Sequence, residues 1–318
     1  MCRQASLSLV LLLLLAGCAR PLHDPVQSRG RSVKTTELKF HYAGPKLPLI
    51  LVPTIVNGQG PFDFILDTGN AAEVPFLLSQ RLAGRLRVKP AETALPGTFA
   101  VGGGQAKVFP GEVQSIALGD LTLGSSPVGV CEMLDNLGAR IGVNLEGNVG
   151  YGFLKDFRLT IDYPRSVLRL DRTGEARAAH EGEAKPVAFR LGPKKPLIVL
   201  SVLLNGKGPY AFALDTGASS SGISSALASE LGLADRGKLS VMGGAGTIGG
   251  FVSSIDSLQI GETRIAALTV VVADFFAPLS EAVGLPIVGV IGHNVLKQFR
   301  VTIDYPGQTI QLDRAAGG

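Results

Sequence analysis

Residues 47–69 read LPLILVPTIVNGQGPFDFILDTG, and residues 195–217 read KPLIVLSVLLNGKGPYAFALDTG. The two stretches lie 148 residues apart and agree at 12 of 23 positions. A second pair, YGFLKDFRLTIDYPRSVLRLDR at 151–172 and HNVLKQFRVTIDYPGQTIQLDR at 293–314, agrees at 12 of 22 positions with an offset of 142. A repeat this long sets the architecture before any motif does: one structural unit is written twice in tandem. Residues 37–172 are the first expected domain and residues 186–314 the second. Between them, 173–185 (TGEARAAHEGEAK) is charged and lacks apolar periodicity, as a solvated linker should.

Within each copy the signals are those of strands. Leu49–Val56 and Leu197–Leu204 are β-type runs, followed by the turn pairs Asn57-Gly58 and Asn205-Gly206, which tolerate positive φ. Phe62–Leu66 and Tyr210–Leu214 return as second strands. Short helices are predicted at Pro75–Leu86 and at Ser224–Leu231, the latter stopped by Gly232. Glycine-rich hairpins are predicted at Val101–Lys107 and Met242–Phe251, and a buried strand at Ala267–Ala273. The composition agrees, with 41 Gly and 19 Pro among 318 residues, 46% hydrophobic and only 18% charged. These values exclude a disordered or coiled-coil chain and favour an all-β protein with many turns. The net charge of +4 is spread thinly, with no basic cluster longer than Lys194–Lys195, so a nucleic-acid partner is not expected.

Asp67-Thr68-Gly69 and Asp215-Thr216-Gly217 occupy equivalent places in the two copies. Each follows an apolar strand and precedes a glycine-rich hairpin and an apolar-Gly-helix segment, 149–154 (VGYGFL) and 291–296 (IGHNVL). On these elements the chain resembles the retropepsin-like aspartic peptidases. The resemblance implies two tandem acid-protease β-barrel domains with short helices, packed as a pseudo-twofold pair. It also implies an aspartic endopeptidase in which Asp67 and Asp215 activate water. Metal-free hydrolysis needs one group to take a proton and another to give one, and two close carboxyls sharing one proton supply both. One domain brings one Asp, so both copies are required, and an internal pseudo-dimer lets the chain act as a monomer. Gly69 and Gly217 are expected to donate backbone N–H bonds to the carboxylates. In the family resembled, Thr68 and Thr216 hydrogen-bond across the axis. Gly103, Gly104, Gly244 and Gly246 are the expected hairpin positions closing over an extended peptide or protein substrate by strand addition. Asn70 faces Ala218 across the repeat, bringing an amide able to hydrogen-bond an Asp67 oxygen, so an asymmetric cleft is expected. A catalytically inactive peptide-binding lipoprotein on the same fold is the alternative.

Other acidic repeats read as structural. Asp162 and Asp304, before Tyr-Pro, suit turns, while Asp171 and Asp313 suit solvated strand ends. No cofactor is expected: GAGTIG at 244–249 leads into a strand rather than the helix a dinucleotide fingerprint needs, and the four His residues form no zinc pattern. Residues 1–18 (MCRQASLSLVLLLLLAGC) have the length and small-residue end of a signal peptide, and 15–18 (LAGC) resembles a lipoprotein box with Cys18 as the lipidated residue. Residues 19–36 read as a tether. The expected location is the cell envelope, anchored by lipid, with the periplasmic side of an outer membrane favoured. Cys131 alone then remains, and its apolar setting reads as a buried small side chain.

Overall fold

The structure, a computed structural model, describes residues 8–11, 14–15, 35–44, 47–93, 99–100, 104–172, 184–243 and 246–314. Each repeat begins with the hairpin that its sequence announces. Leu47–Val56 pairs with Gln59–Leu66, and Ile198–Leu204 with Lys207–Leu214. Both central turn residues have positive φ, 51° and 71° at Asn57-Gly58 and 50° and 77° at Asn205-Gly206. That is the twist a two-residue hairpin turn requires. The asparagines also anchor the turns sideways. Asn57 Oδ1 accepts from the backbone N–H groups of Gln114 and Ser115, and Asn205 Oδ1 from those of Asp256 and Ser257.

The first domain's main sheet runs, in spatial order, 109–113, 126–131, 76–79, 147–149, 59–66, 47–56, 116–118 and 121–123. The second runs 8–11, 238–243, 246–260, 263–273, 222–223, 289–291, 207–214, 198–204 and 190–191, and 246–260 also pairs with 198–204. In both, a three-residue strand (147–149 or 289–291) lies parallel to the strand that ends at Asp-Thr-Gly. A third sheet joins the domains, with order 187–188, 309–314, 299–304, 157–162, 167–172 and 35–39. At its centre Thr160 faces Thr302, with their hydroxyls 3.2 Å apart. These two residues are equivalent in the repeat, so the pseudo-twofold axis passes between them.

Alternation along the central strands buries Phe157, Leu159 and Ile161 from the first repeat and Phe299, Val301 and Ile303 from the second on the same face of the sheet, where Leu159 stands opposite Ile303 and Ile161 opposite Val301. All six belong to one apolar cluster that continues into both barrels. Burying such surface is the main driving force of folding, and here it fixes one domain against the other. The relative placement of the two acidic loops therefore rests on a shared core.

Several expectations need correction. The stretch Pro75–Leu86 is not one helix: Phe76–Ser79 is a strand with all four residues buried, and only Gln80–Arg85 is helical. The consecutive apolar residues Phe76, Leu77 and Leu78 are covered on both faces, as in a central strand. The Ser79 hydroxyl then accepts from Leu82 N–H and starts the helix. Two helices not foreseen, Met133–Ile141 and Phe276–Val283, follow strands and end at left-handed glycines, Gly142 and Gly284. Asp313 is not a solvated strand end; it is buried and accepts from Ala184 N–H, Arg300 and Gln311. The strand Thr35–Lys39 pairs with 167–172, so Thr35 and Thr36 lie within the sheet rather than in a tether. Cys18 and residues 173–183 of the expected linker lie outside the described residues.

Candidate functional site

Each Asp-Thr-Gly loop leaves its sheet at the same point. Asp67 N–H donates to Val149 O, and Asp215 N–H to Ile291 O, both at 3.0 Å. These bonds hold the start of each loop to the parallel three-residue strand. Behind the loops, the helices Tyr151–Leu154 and His293–Leu296 begin with backbone donors, Tyr151 N–H to Asn70 O and His293 N–H to Ala218 O, each 2.8 Å. The approach is close enough to exclude side chains at Gly150 and Gly292. A Cβ on Gly150 would stand 2.5 Å from Asn70 Nδ2, and one on Gly292 would stand 2.6 Å from Ser220 O.

Thr68 and Thr216 lace the loops together. Thr68 Oγ1 donates to Leu214 O (3.1 Å) and accepts from Thr216 N–H (3.0 Å). Reciprocally, Thr216 Oγ1 donates to Leu66 O (2.8 Å) and accepts from Thr68 N–H (3.0 Å). Four buried bonds thus cross the pseudo-twofold axis. Gly69 N–H donates to Asp67 Oδ1 at 2.8 Å, joined by Asn70 N–H at 3.1 Å; Gly217 N–H donates to Asp215 Oδ1 at 2.7 Å.

Asp67 and Asp215 are fully buried, and the charge of Asp67 acts directly on Asp215. Burial raises the Asp67 pKa to about 7, against the opposing bonds from Asn148 and the backbone. Asp215 is pushed well above the carboxylate range, first by burial and then by the charge of Asp67. Two buried carboxyls whose charges act on each other resist ionising together, so the pair holds one proton over a range of pH. Such a pair can take a proton from one bound molecule and deliver one to another.

The environments of the two carboxyls differ. Asn148, in the strand Gly147–Val149, donates through Nδ2 to Asp67 Oδ2 at 2.7 Å. Its Oδ1 accepts from Asn70 Nδ2 (2.7 Å), and Asn70 Oδ1 accepts from Ala72 N–H (3.0 Å). The Asn70 amide therefore bonds Asn148; only its backbone N–H reaches the Asp67 carboxylate. The residue equivalent to Asn148 is Val290, and Asp215 Oδ2 is buried with no donor among the described residues. In the second half the corresponding space is held differently: Ser221 Oγ accepts from Gly292 N–H and donates to Asn294 Oδ1. Asn148 escaped the sequence reading; its only signal was one amide in an apolar strand, opposite a valine in the other copy.

Two of the four expected hairpin glycines are among the described residues. Gly104 pairs with Ala100 and Gly246 with Gly243, while Gly103 and Gly244 lie outside the described residues. Asp162 Oδ1 accepts from Arg165 N–H and Asp304 Oδ1 from Gly307 N–H, which makes both turn residues. Cys131 is buried, and burial pushes its thiol up to about 12. His293 starts its helix with its ring against Tyr42 and Tyr163, and burial lowers its pKa to about 4. Among the described residues no group of three or more His, Cys, Asp or Glu could hold a metal ion.

A family model described as aspartyl protease matches the chain twice, over residues 52–153 and 200–295. Each match contains one of the two acidic loops and the short strand behind it. No curated protein matches the chain.

Proposed function

The chain belongs to the aspartyl protease family, and from that premise we propose that it is an aspartic endopeptidase with Asp67 and Asp215 as its catalytic pair. The observation that carries this reading is the pair of fully buried carboxyls, one from each repeat, held between two loops laced by Thr68 and Thr216, with the charge of one acting on the other. A site built only to bind peptide has no need to bury two acids together, an arrangement that costs stability at neutral pH.

In the proposed reaction a water molecule attacks the scissile carbonyl carbon. As its oxygen bonds to carbon, one O–H bond breaks and the proton passes to the ionised carboxylate. The protonated carboxyl gives its proton to the carbonyl oxygen, forming a neutral diol. Collapse then breaks the C–N bond: the carboxyl that took the water proton gives it to the leaving nitrogen, and one diol hydroxyl gives its proton to the other carboxylate, which leaves a carboxylic acid, an amine and the pair as it began. Gly69 and Gly217 N–H groups hold the Oδ1 atoms of the two carboxyls, and the threonine lacing holds the two loops together. An extended peptide would pair by its main chain with the strands 99–100 and 238–243, along the edges that residues 14–15 and 8–11 occupy in the structure. We place the enzyme at the cell envelope, tethered through a lipid on Cys18.

The test is hydrolysis of unfolded protein by the full chain between pH 4 and 9, with Asp67→Asn and Asp215→Asn alongside. Turnover that both substitutions abolish supports the reading. Binding of peptide without turnover at any pH replaces it with the peptide-binding alternative. Labelling by a fatty-acid precursor that Cys18→Ser removes supports the anchor; unchanged labelling rejects it.

A further inference from the structure

The amide chain beside Asp67 has a fixed direction. A backbone N–H donates and never accepts, so the Asn70 atom facing Ala72 N–H must be Oδ1. Asn70 then presents Nδ2 to Asn148, which must answer with Oδ1. That leaves Asn148 Nδ2 aimed at Asp67 Oδ2. Carboxamide orientation is ordinarily ambiguous, but here one backbone donor settles both amides. Asn70, Asn148 and Asp67 are all fully buried, so water does not compete for these positions. Asp67 Oδ2 therefore always faces a donor, a position that favours bare carboxylate. Asp215 Oδ2 faces none among the described residues, a position that suits the protonated oxygen.

From this geometry, and resting on the peptidase reading above, we propose that Asn148, aligned by Asn70, is a positioning residue that assigns the shared proton to Asp215 and makes Asp67 the base. The pseudo-twofold fold leaves the choice of acid and base undecided, and a relay present in one half decides it. The second half has Ala218 and Val290 at the two positions and can build no such chain.

The other titratable groups near the pair do not make this choice. Tyr163 and Tyr305 feel the charges of Asp215 and Asp67 respectively; both phenols are buried without hydrogen-bond partners among the described residues and stay neutral, since burial holds them far above their usual range. His293, against Tyr163, is neutral above about pH 4.

Two single substitutions write the second repeat into the first: Asn148→Val and Asn70→Ala. In the full chain, kcat/KM is measured from pH 4 to 9, and the carboxyls are titrated by NMR with ¹³Cγ-labelled Asp. The Asp67 signal is identified by its loss in Asp67→Asn. In Asn148→Val, the acid limb of the rate profile and the Asp67 midpoint should both move up by about one pH unit. Asn70→Ala should move them the same way but less, because Asn148 keeps its donor and loses only its alignment. An Asp67 midpoint unmoved in folded Asn148→Val overturns the assignment, as does a rate lowered uniformly with the limb in place. If the valine variant does not fold, the alanine variant carries the same two readouts. If the parent chain hydrolyses nothing, the peptidase reading falls, and the NMR titration still decides where the proton sits.

Discussion

The two halves of the molecule share their backbone bonds and differ in the polar side chains behind the acidic loops. Asp67 and Asp215 donate from their N–H groups to equivalent strand carbonyls, and the loop carbonyls of Asn70 and Ala218 accept from equivalent helix starts. The threonine lacing is reciprocal within 0.3 Å. The side chains then part company. The first half fills its space with Asn70 and Asn148, which end on a carboxylate oxygen; the second fills it with Ser221 and Asn294, which end on backbone and on each other. Symmetry is kept where it places the acids and lost where it would leave them indistinguishable.

Replacing either acid tests the comparison most severely. Asp67→Asn and Asp215→Asn should each lower peptide turnover by at least about 10³-fold, because neither half of the acid–base pair works alone. A variant that keeps a tenth of the activity would remove that carboxyl from the reaction.

The same two variants should differ in stability. Both carboxyls have folded pKa values above the unfolded value of about 4. The folded chain therefore holds a proton that the unfolded chain releases. The resulting stabilisation is complete below pH 4 and is lost as pH rises through about 7. Asp215→Asn puts a neutral amide where Oδ2 faces no donor, and that amide can donate to Asp67. Its thermal midpoint should exceed that of the parent at pH 8 by several degrees and match it near pH 4. Asp67→Asn cannot gain in the same way: Gly69 N–H and Asn148 Nδ2 both point at position 67, so an NH₂ there faces a donor whichever way it turns. It should gain less than Asp215→Asn, and equal gains would mean that the amide relay imposes nothing.

The lacing should be blind to which half is altered. Thr68→Val removes a donor to Leu214 O and strands Thr216 N–H; Thr216→Val does the mirror image. Each leaves two buried backbone groups unpaired, at a cost of about 2–4 kcal/mol in urea unfolding. Costs that differ by more than about 1 kcal/mol would show that the loops are not held equally.

These contrasts explain what the sequence alone could disclose. The paired hairpins were legible because Asn-Gly between apolar runs has a local backbone reason, and the paired acids because two long matching blocks put them in register. Of the helix expected over 75–86, residues 80–85 are helical and 76–79 form a strand instead, because a buried strand and an amphipathic turn carry the same apolar residues and burial on both faces is a tertiary fact. Asp313 was misread because its partners, at 184 and 300, come from remote parts of the chain. Asn148 was missed for a similar reason. Its donor role needs residues 67, 70 and 72 at hydrogen-bond distance, and no local pattern encodes that meeting.

The smallest effect tests whether the second half's network is purely structural. Asn294 Oδ1 accepts from Ser221 N–H (2.7 Å) and Ser221 Oγ (2.9 Å), and its Nδ2 donates to Thr269 O (2.8 Å). None of these atoms touches Asp215. Asn294→Ala leaves Ser221 N–H without its acceptor in a partly buried place, so it should cost about 1–2 kcal/mol of unfolding free energy. The acid limb of the rate profile should stay where it is, in contrast to Asn148→Val. The two asparagines would then differ in what they control although both stand behind equivalent loops. A limb that moves in Asn294→Ala would mean that the second half also sets the charge of the pair, by a route its hydrogen bonds do not contain.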